Sequence, residues 1–202
     1  ALPALPLAAG AQFPTSITFF GDSFTDMGMT DVLAARAGLP DQTPTPPYWP
    51  GPAPRNFPGT STNGPTWAAY FAAALGRPND ALTAIGLPPG PPPIPTGNNL
   101  AISGARTGVF GTGGLPIGLR TQYDLFAGNP LPFPLSAVLV PPPAARTIDP
   151  TGLYVVWGGV NDIRDLADVA PADPLPALQT AAANVRFVVE QLAAAGARSF
   201  LV

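Results

Sequence analysis

A chain of 202 residues, 46% of them apolar, is long enough to close one hydrophobic core and too short for two full domains. Its net charge of −3 and its nine arginines, scattered singly with no lysine among them, leave no cationic track for a phosphate backbone, which excludes nucleic acid as a partner. The lack of cysteine and histidine excludes disulfides, thiolate metal sites and cysteine nucleophiles, and leaves any imidazole-dependent chemistry incomplete within these residues.

The first 14 residues are uncharged and rich in Ala, Leu and Pro, and Ala9-Gly10-Ala11 has the small-x-small form of a signal-peptidase site. Two readings stand side by side: the tail of a signal peptide, which places the protein outside the cytoplasm, or a disordered N-terminus. Either way the folded domain is expected over residues 15–202. Ser16-Ile17-Thr18-Phe19-Phe20, a β-branched and aromatic run ended by Gly21, predicts a strand buried on both faces. A helix is predicted over Asp31 to Ala37, stopped by Gly38 and Pro40. A proline-rich loop follows to Pro58, and its Tyr48, Trp49 and Phe57 either wall a cleft or cap the core.

Asn63-Gly64-Pro65 opens a second helix, whose Trp67, Tyr70, Phe71 and Ala74 fall at helical spacing and are expected to pack inward. After a Pro/Gly linker at 88–95, residues Asn98 to Gly104 read as a strand edge entering a turn. From Gly108 to Pro150 the composition is mostly that of a loop, with a short helix around Leu119 to Phe126. Leu153 to Trp157 is a second buried-type strand. Asp173 to Ala195 is the clearest helix, with an apolar stripe at Leu178, Ala182, Val185, Val189 and Leu192, and Ser199 to Val202 begins another strand. Strands alternating with helices imply a parallel sheet covered on both faces, with its sites at the carboxyl ends of the strands.

Ser23 stands where such a site belongs, on a tight turn directly after the first strand. The stretch Phe19 to Gly28, with Gly21-Asp22-Ser23 followed by Asp26-x-Gly28, resembles the first block of the GDSL (SGNH) hydrolases. Three further stretches are similar to later blocks, in order: Asn63-Gly64-Pro65-x-Trp67, with Thr60 where the secreted bacterial branch usually has arginine; Asn99-Leu100-Ala101-Ile102-Ser103-Gly104-Ala105; and Gly159-Val160-Asn161-Asp162. The resemblance implies a three-layer α/β/α fold with a central parallel sheet, the flavodoxin-like SGNH hydrolase fold. It also implies a cofactor-free, metal-free serine esterase or lipase acting on a small-molecule or lipid ester.

In that reading Ser23 is the nucleophile, and its N–H, the Gly104 N–H and the Asn161 side-chain amide form the oxyanion hole. Asp22, Asp26 and Asp162 support the site. Each residue also has a plainer reading: Gly104 as a turn glycine, Asn161 as a helix N-cap, and the three aspartates as loop or capping residues.

The family also carries an Asp-x-x-His near its C-terminus, the histidine acting as general base and the aspartate orienting it. That block is absent from these residues. The sequence therefore reads as a C-terminally truncated record, with a sheet incomplete at that end, little activity of its own, and membrane anchoring through a missing C-terminus left open. Oligomeric state is also left open. The alternatives are an acyltransferase using the same site, or a degenerate, non-catalytic member that binds lipid or carbohydrate.

Overall fold

The computed structural model describes residues 13–39, 65–85 and 96–202. The strand β1 (Ile17–Phe20) is fully buried along its length, as an apolar run without polar alternation requires. It pairs in parallel with β2 (Leu153–Val156), which pairs in parallel with β3 (Ser199–Leu201). Ile17 lies opposite Leu153 and Phe20 opposite Val156.

The ladder continues past the free side of β1. Phe19 N–H donates to Asn98 O (3.0 Å), Leu100 N–H to Phe19 O (2.8 Å) and Ile102 N–H to Gly21 O (3.1 Å). On the far side of that segment, Asn99 N–H donates to Leu82 O (3.0 Å) and Ala84 N–H to Asn99 O (2.8 Å), with parallel bridges at Phe19–Asn99 and Thr83–Asn99. Among the described residues five parallel tracks thus lie in the spatial order 82–84, 98–102, β1, β2, β3. The chain leaves β1 toward one side of the sheet and leaves β2 toward the other. The crevice between their carboxyl ends is a topological switch point, the place where open α/β sheets bind ligands.

Among the described residues six helices accompany the strands: α1 (Met29–Arg36), α2 (Trp67–Ala74), α3 (Leu119–Ala127), α4 (Leu135–Val138), α5 (Val160–Val169) and α6 (Leu175–Ala194). Side-chain alternation along the strands divides the core in two. Phe20, Tyr154 and Val156 pack with Leu100, Ile102, α1, α3 and α6 on one face; Ile17, Phe19 and Val155 pack with α2 and the short 3-10 turn at Pro78–Ala81 on the other. The expected three-layer α/β/α architecture is therefore present. The predicted strands at 16–20, 98–104, 153–157 and 199–202 all lie in this sheet, and the helix expected near 119–126 is α3.

Three expectations need correction. The inward face of α2 is Ala68 and Ala72, both fully buried, whereas Tyr70 is 66% exposed and Ala74 is exposed. Small side chains let the helix lie close on the sheet, with Trp67 and Phe71 flanking the contact, so bulk was a misleading guide to direction. In α6 the buried line is Val188 and Leu192, supported by Val185 and Val189, while Leu178 and Ala182 are exposed. Finally, 108–150 is mostly loop as expected but contains α4 and a 3-10 turn at Thr112–Gly114 besides α3, and the helix that Asn161 was allowed to cap is α5, which starts earlier, at Val160. The loop carrying Tyr48, Trp49 and Phe57, and most of the 88–95 linker, lie outside the described residues.

Candidate active site

Ser23 sits half-buried on the turn that follows β1. That turn is one helical loop closed by Thr25 N–H and Asp26 N–H, both donating to Asp22 O (3.0 and 2.9 Å). It is held from below and from both sides. Gln122 of α3, fully buried, accepts from Gly21 N–H and donates to Gly21 O (both 2.8 Å), so its side chain imitates a neighbouring strand where β1 ends. Trp67 Nε1–H donates to Thr25 Oγ1 (3.2 Å), and Asn99 Nδ2–H to Thr25 O (2.8 Å).

Asp26 joins this turn to the segment carrying Gly104. Its carboxylate accepts from Gly28 N–H (2.8 Å), Met29 N–H (2.6 Å) and Thr30 Oγ1–H (2.5 Å), which starts α1, and from both N–H and Oγ–H of Ser103 (2.8 Å each). Gly104 comes next with φ +81°, a left-handed conformation natural to glycine, and a Cβ there would run into Thr112. The Gly104 carbonyl accepts from Thr112 N–H (2.8 Å). Among the described residues neither the Ser23 N–H nor the Gly104 N–H is used by a protein acceptor.

The third donor arrives on α5. Asn161 is buried, and its Nδ2–H donates to Ala105 O (2.8 Å), which fixes the amide beside Gly104 and leaves its second N–H for a ligand. Asp162 accepts from Thr107 N–H (3.0 Å) and Thr107 Oγ1–H (2.8 Å), and Asp165 forms an ion pair with Arg106. Thus one face of α5 grips residues 105–107 at three successive points. The N-cap of α5 is Gly159, at φ +110°, so Asn161 lies within the first turn and is not the cap that one sequence reading allowed. The structure brings Ser23, Gly104 and Asn161 to one end of the sheet, joined by hydrogen bonds through Asp26, Ser103 and Ala105.

Asp22 differs from the other two aspartates. It is fully buried, its Oδ1 accepts from Phe24 N–H (3.1 Å), and its Oδ2 has no partner. Burial, aided by the nearby Asp162 charge, pushes its pKa up to about 6. Asp26 and Asp162 fit the plainer reading of capping and loop-tying groups, though both tie together the segments that hold the site. Among the described residues no three His, Cys, Asp or Glu side chains gather as a metal site would require.

Sequence reasoning gave no role to Gln122, Thr25, Thr107 or Arg106. Gln122 did leave a trace, a polar residue inside the buried stripe Leu119, Gln122 and Phe126, where an uncompensated amide would be costly.

A family model described as GDSL-like Lipase/Acylhydrolase matches residues 17–202. No curated protein matches the chain.

Proposed function

The chain belongs to the GDSL-like lipases and acylhydrolases, a family of ester hydrolases, and from that premise we propose that it is a serine esterase acting through an acyl-serine intermediate. The observation that carries the reading is the convergence of Ser23 with two unspent backbone N–H groups and the fixed Asn161 amide at the switch point of the sheet. Ser23 Oγ attacks the ester carbonyl, and the carbonyl oxygen takes the negative charge. Ser23 N–H, Gly104 N–H and Asn161 Nδ2–H are donors for that oxyanion, and one such donor contributes about 3 to 4 kcal/mol to the transition state. Collapse of the tetrahedral species breaks the bond to the alcohol, which leaves with a proton. Water then releases the acid from the serine.

The serine proton needs an acceptor, and none of the 202 residues is a histidine. The family resemblance assigns that role to an Asp-x-x-His block, so full turnover is proposed for a protein that supplies it. Acylation itself is testable on this chain with imidazole in solution as the base. With p-nitrophenyl acetate, an acetyl adduct should form on Ser23 at a rate that rises with imidazole, and Ser23→Ala should abolish it. An adduct that persists in Ser23→Ala, or that maps elsewhere, would remove Ser23 as nucleophile.

A further inference from the structure

Helix α5 brings the Asn161 amide to the site, yet little apolar packing holds that helix in place. Asn161 is its one buried residue, and Val160, Ile163 and Val169 are 40%, 58% and 76% exposed. Helices in folded proteins are fixed chiefly by a buried apolar face. The placement of α5 is therefore set largely by polar ties, and it has three to residues 105–107: Asn161 to Ala105 O, Asp162 to Thr107, and Asp165 to Arg106.

The three ties differ in leverage. Asn161 and Asp162 are neighbours in the first turn, so their bonds make a pivot. Asp165 lies one turn further, about 6 Å along the axis from Asn161, and fixes the direction in which the helix leaves that pivot. Its partner is itself anchored. The Arg106 carbonyl accepts from Leu119 N–H (2.9 Å) at the start of α3, and while its Nε–H meets Asp165, its Nη1–H donates to Gly111 O (2.8 Å). Gly111 lies against Gly104: a Cβ on it would stand 2.6 Å from Gly104 O, and the next residue, Thr112, donates its N–H to that same oxygen (2.8 Å). The rigid fork of a guanidinium holds both partners at once, which ties α5 to the turn that shapes Gly104.

We propose that Arg106 is a positioning residue for the oxyanion hole: through Asp165 it fixes α5, and with it the Asn161 amide, relative to the Gly104 N–H. This inference rests on the reading of Ser23 as nucleophile and Asn161 as an oxyanion donor. An ion pair whose side chains are each 33% exposed adds little to stability. A misplacement of about 1 Å at a reacting centre costs far more, up to roughly a hundredfold in rate. The pair is thus worth more as geometry than as stability.

The experiment measures two quantities, Ser23 acylation by p-nitrophenyl acetate in imidazole buffer and the urea midpoint. It compares the native chain with Arg106→Gln, Asp165→Asn, Asn161→Ala and the two double variants that add Asn161→Ala. Arg106→Gln and Asp165→Asn should each slow acylation roughly tenfold with a midpoint close to native. Asp165→Asn cuts the same tie from the helix side and decides the matter if Arg106→Gln fails to fold. Asn161→Ala alone should slow acylation about a hundredfold or more. In its background either substitution should change the rate by less than about twofold, because no amide remains to be positioned. Native rates in both single variants, a further tenfold loss on top of Asn161→Ala, or slowing matched by a fall in the midpoint overturns the positioning role. A native rate in Asn161→Ala would instead overturn the donor, and failure of the native chain to label Ser23 the nucleophile, on which the inference depends.

Discussion

Asp22 is the residue on which the site places the greatest electrostatic strain. Its carboxyl is buried with one oxygen unpartnered, and burial pushes its pKa from the ordinary 3.8 up to about 6. The folded state therefore holds this proton more tightly than the unfolded chain, so stability falls as pH rises from about 4 through about 6 and stays lower above it. Asp22→Asn keeps an oxygen for the Phe24 N–H and removes the buried charge. The variant should match the native chain near pH 4 and exceed it at pH 8 by on the order of 2 kcal/mol. Urea unfolding of both chains at the two pH values measures this. An identical pH dependence in the two would show that Asp22 does not titrate in that window. The sequence marks Ser23 clearly, because a strand, a glycine turn and a serine are all local. The burden on Asp22 was not legible, since it arises first from burial under packed atoms that no local pattern records, and only then from Asp162, distant in the chain.

At the scale of elements, α3 does more than cover the sheet. Through Gln122 it closes both backbone groups of Gly21, and Gln122 Nε2–H also donates to Ile117 O (3.1 Å). Replacing Gln122 by leucine keeps the bulk and leaves the Gly21 N–H buried without an acceptor. A stranded buried donor costs about 1 to 3 kcal/mol, and the two lost amide donations add to it. We expect Gln122→Leu to lose roughly 3 kcal/mol in urea unfolding and to slow Ser23 acylation as well, because the end of β1 carries the nucleophile turn. A stability change within experimental error would mean that water substitutes for the amide. The predicted strands were correct because runs such as Ile17–Phe20 and Leu153–Val156 carry their burial in their own composition. Helix α5 has no predicted range because it is short and opens at Gly159 without a capping side chain, and that its polar face is the buried one is set by the hydrogen bonds to residues 105–107, which its periodicity does not record. The α2 and α6 stripes were misplaced for a related reason: which residues touch the sheet depends on where each helix crosses it.

Across the whole molecule, buried or shared carboxylates tie parallel strands together at both ends of the sheet, and the two ends have different duties. At the amino end Asp149 accepts from Thr15 Oγ1–H and Ser16 Oγ–H (2.6 Å each), from Thr151 N–H (2.9 Å) and from Thr151 Oγ1–H (2.7 Å), linking the entries to β1 and β2. These hydrogen bonds hold its pKa well below the usual carboxylate range. Its contribution is therefore fully present above about pH 4, and is lost as pH falls further and the folded carboxylate protonates. At the carboxyl end Asp26 links the nucleophile turn, the start of α1 and Ser103 beside Gly104. Asp149→Asn should lower the urea midpoint at pH 7, with the gap to the native chain narrowing below pH 4, and should leave the rate of Ser23 acylation unchanged. Asp26→Asn should lower the midpoint and also slow acylation, because the Ser103 N–H and Oγ–H lose the charge that sets the Gly104 turn. Comparing both quantities in both variants separates a general loss of folding from a displaced oxyanion donor. If both substitutions slow acylation in proportion to their loss of stability, the carboxyl end has no positioning duty of its own, and Asp26 is only a helix cap.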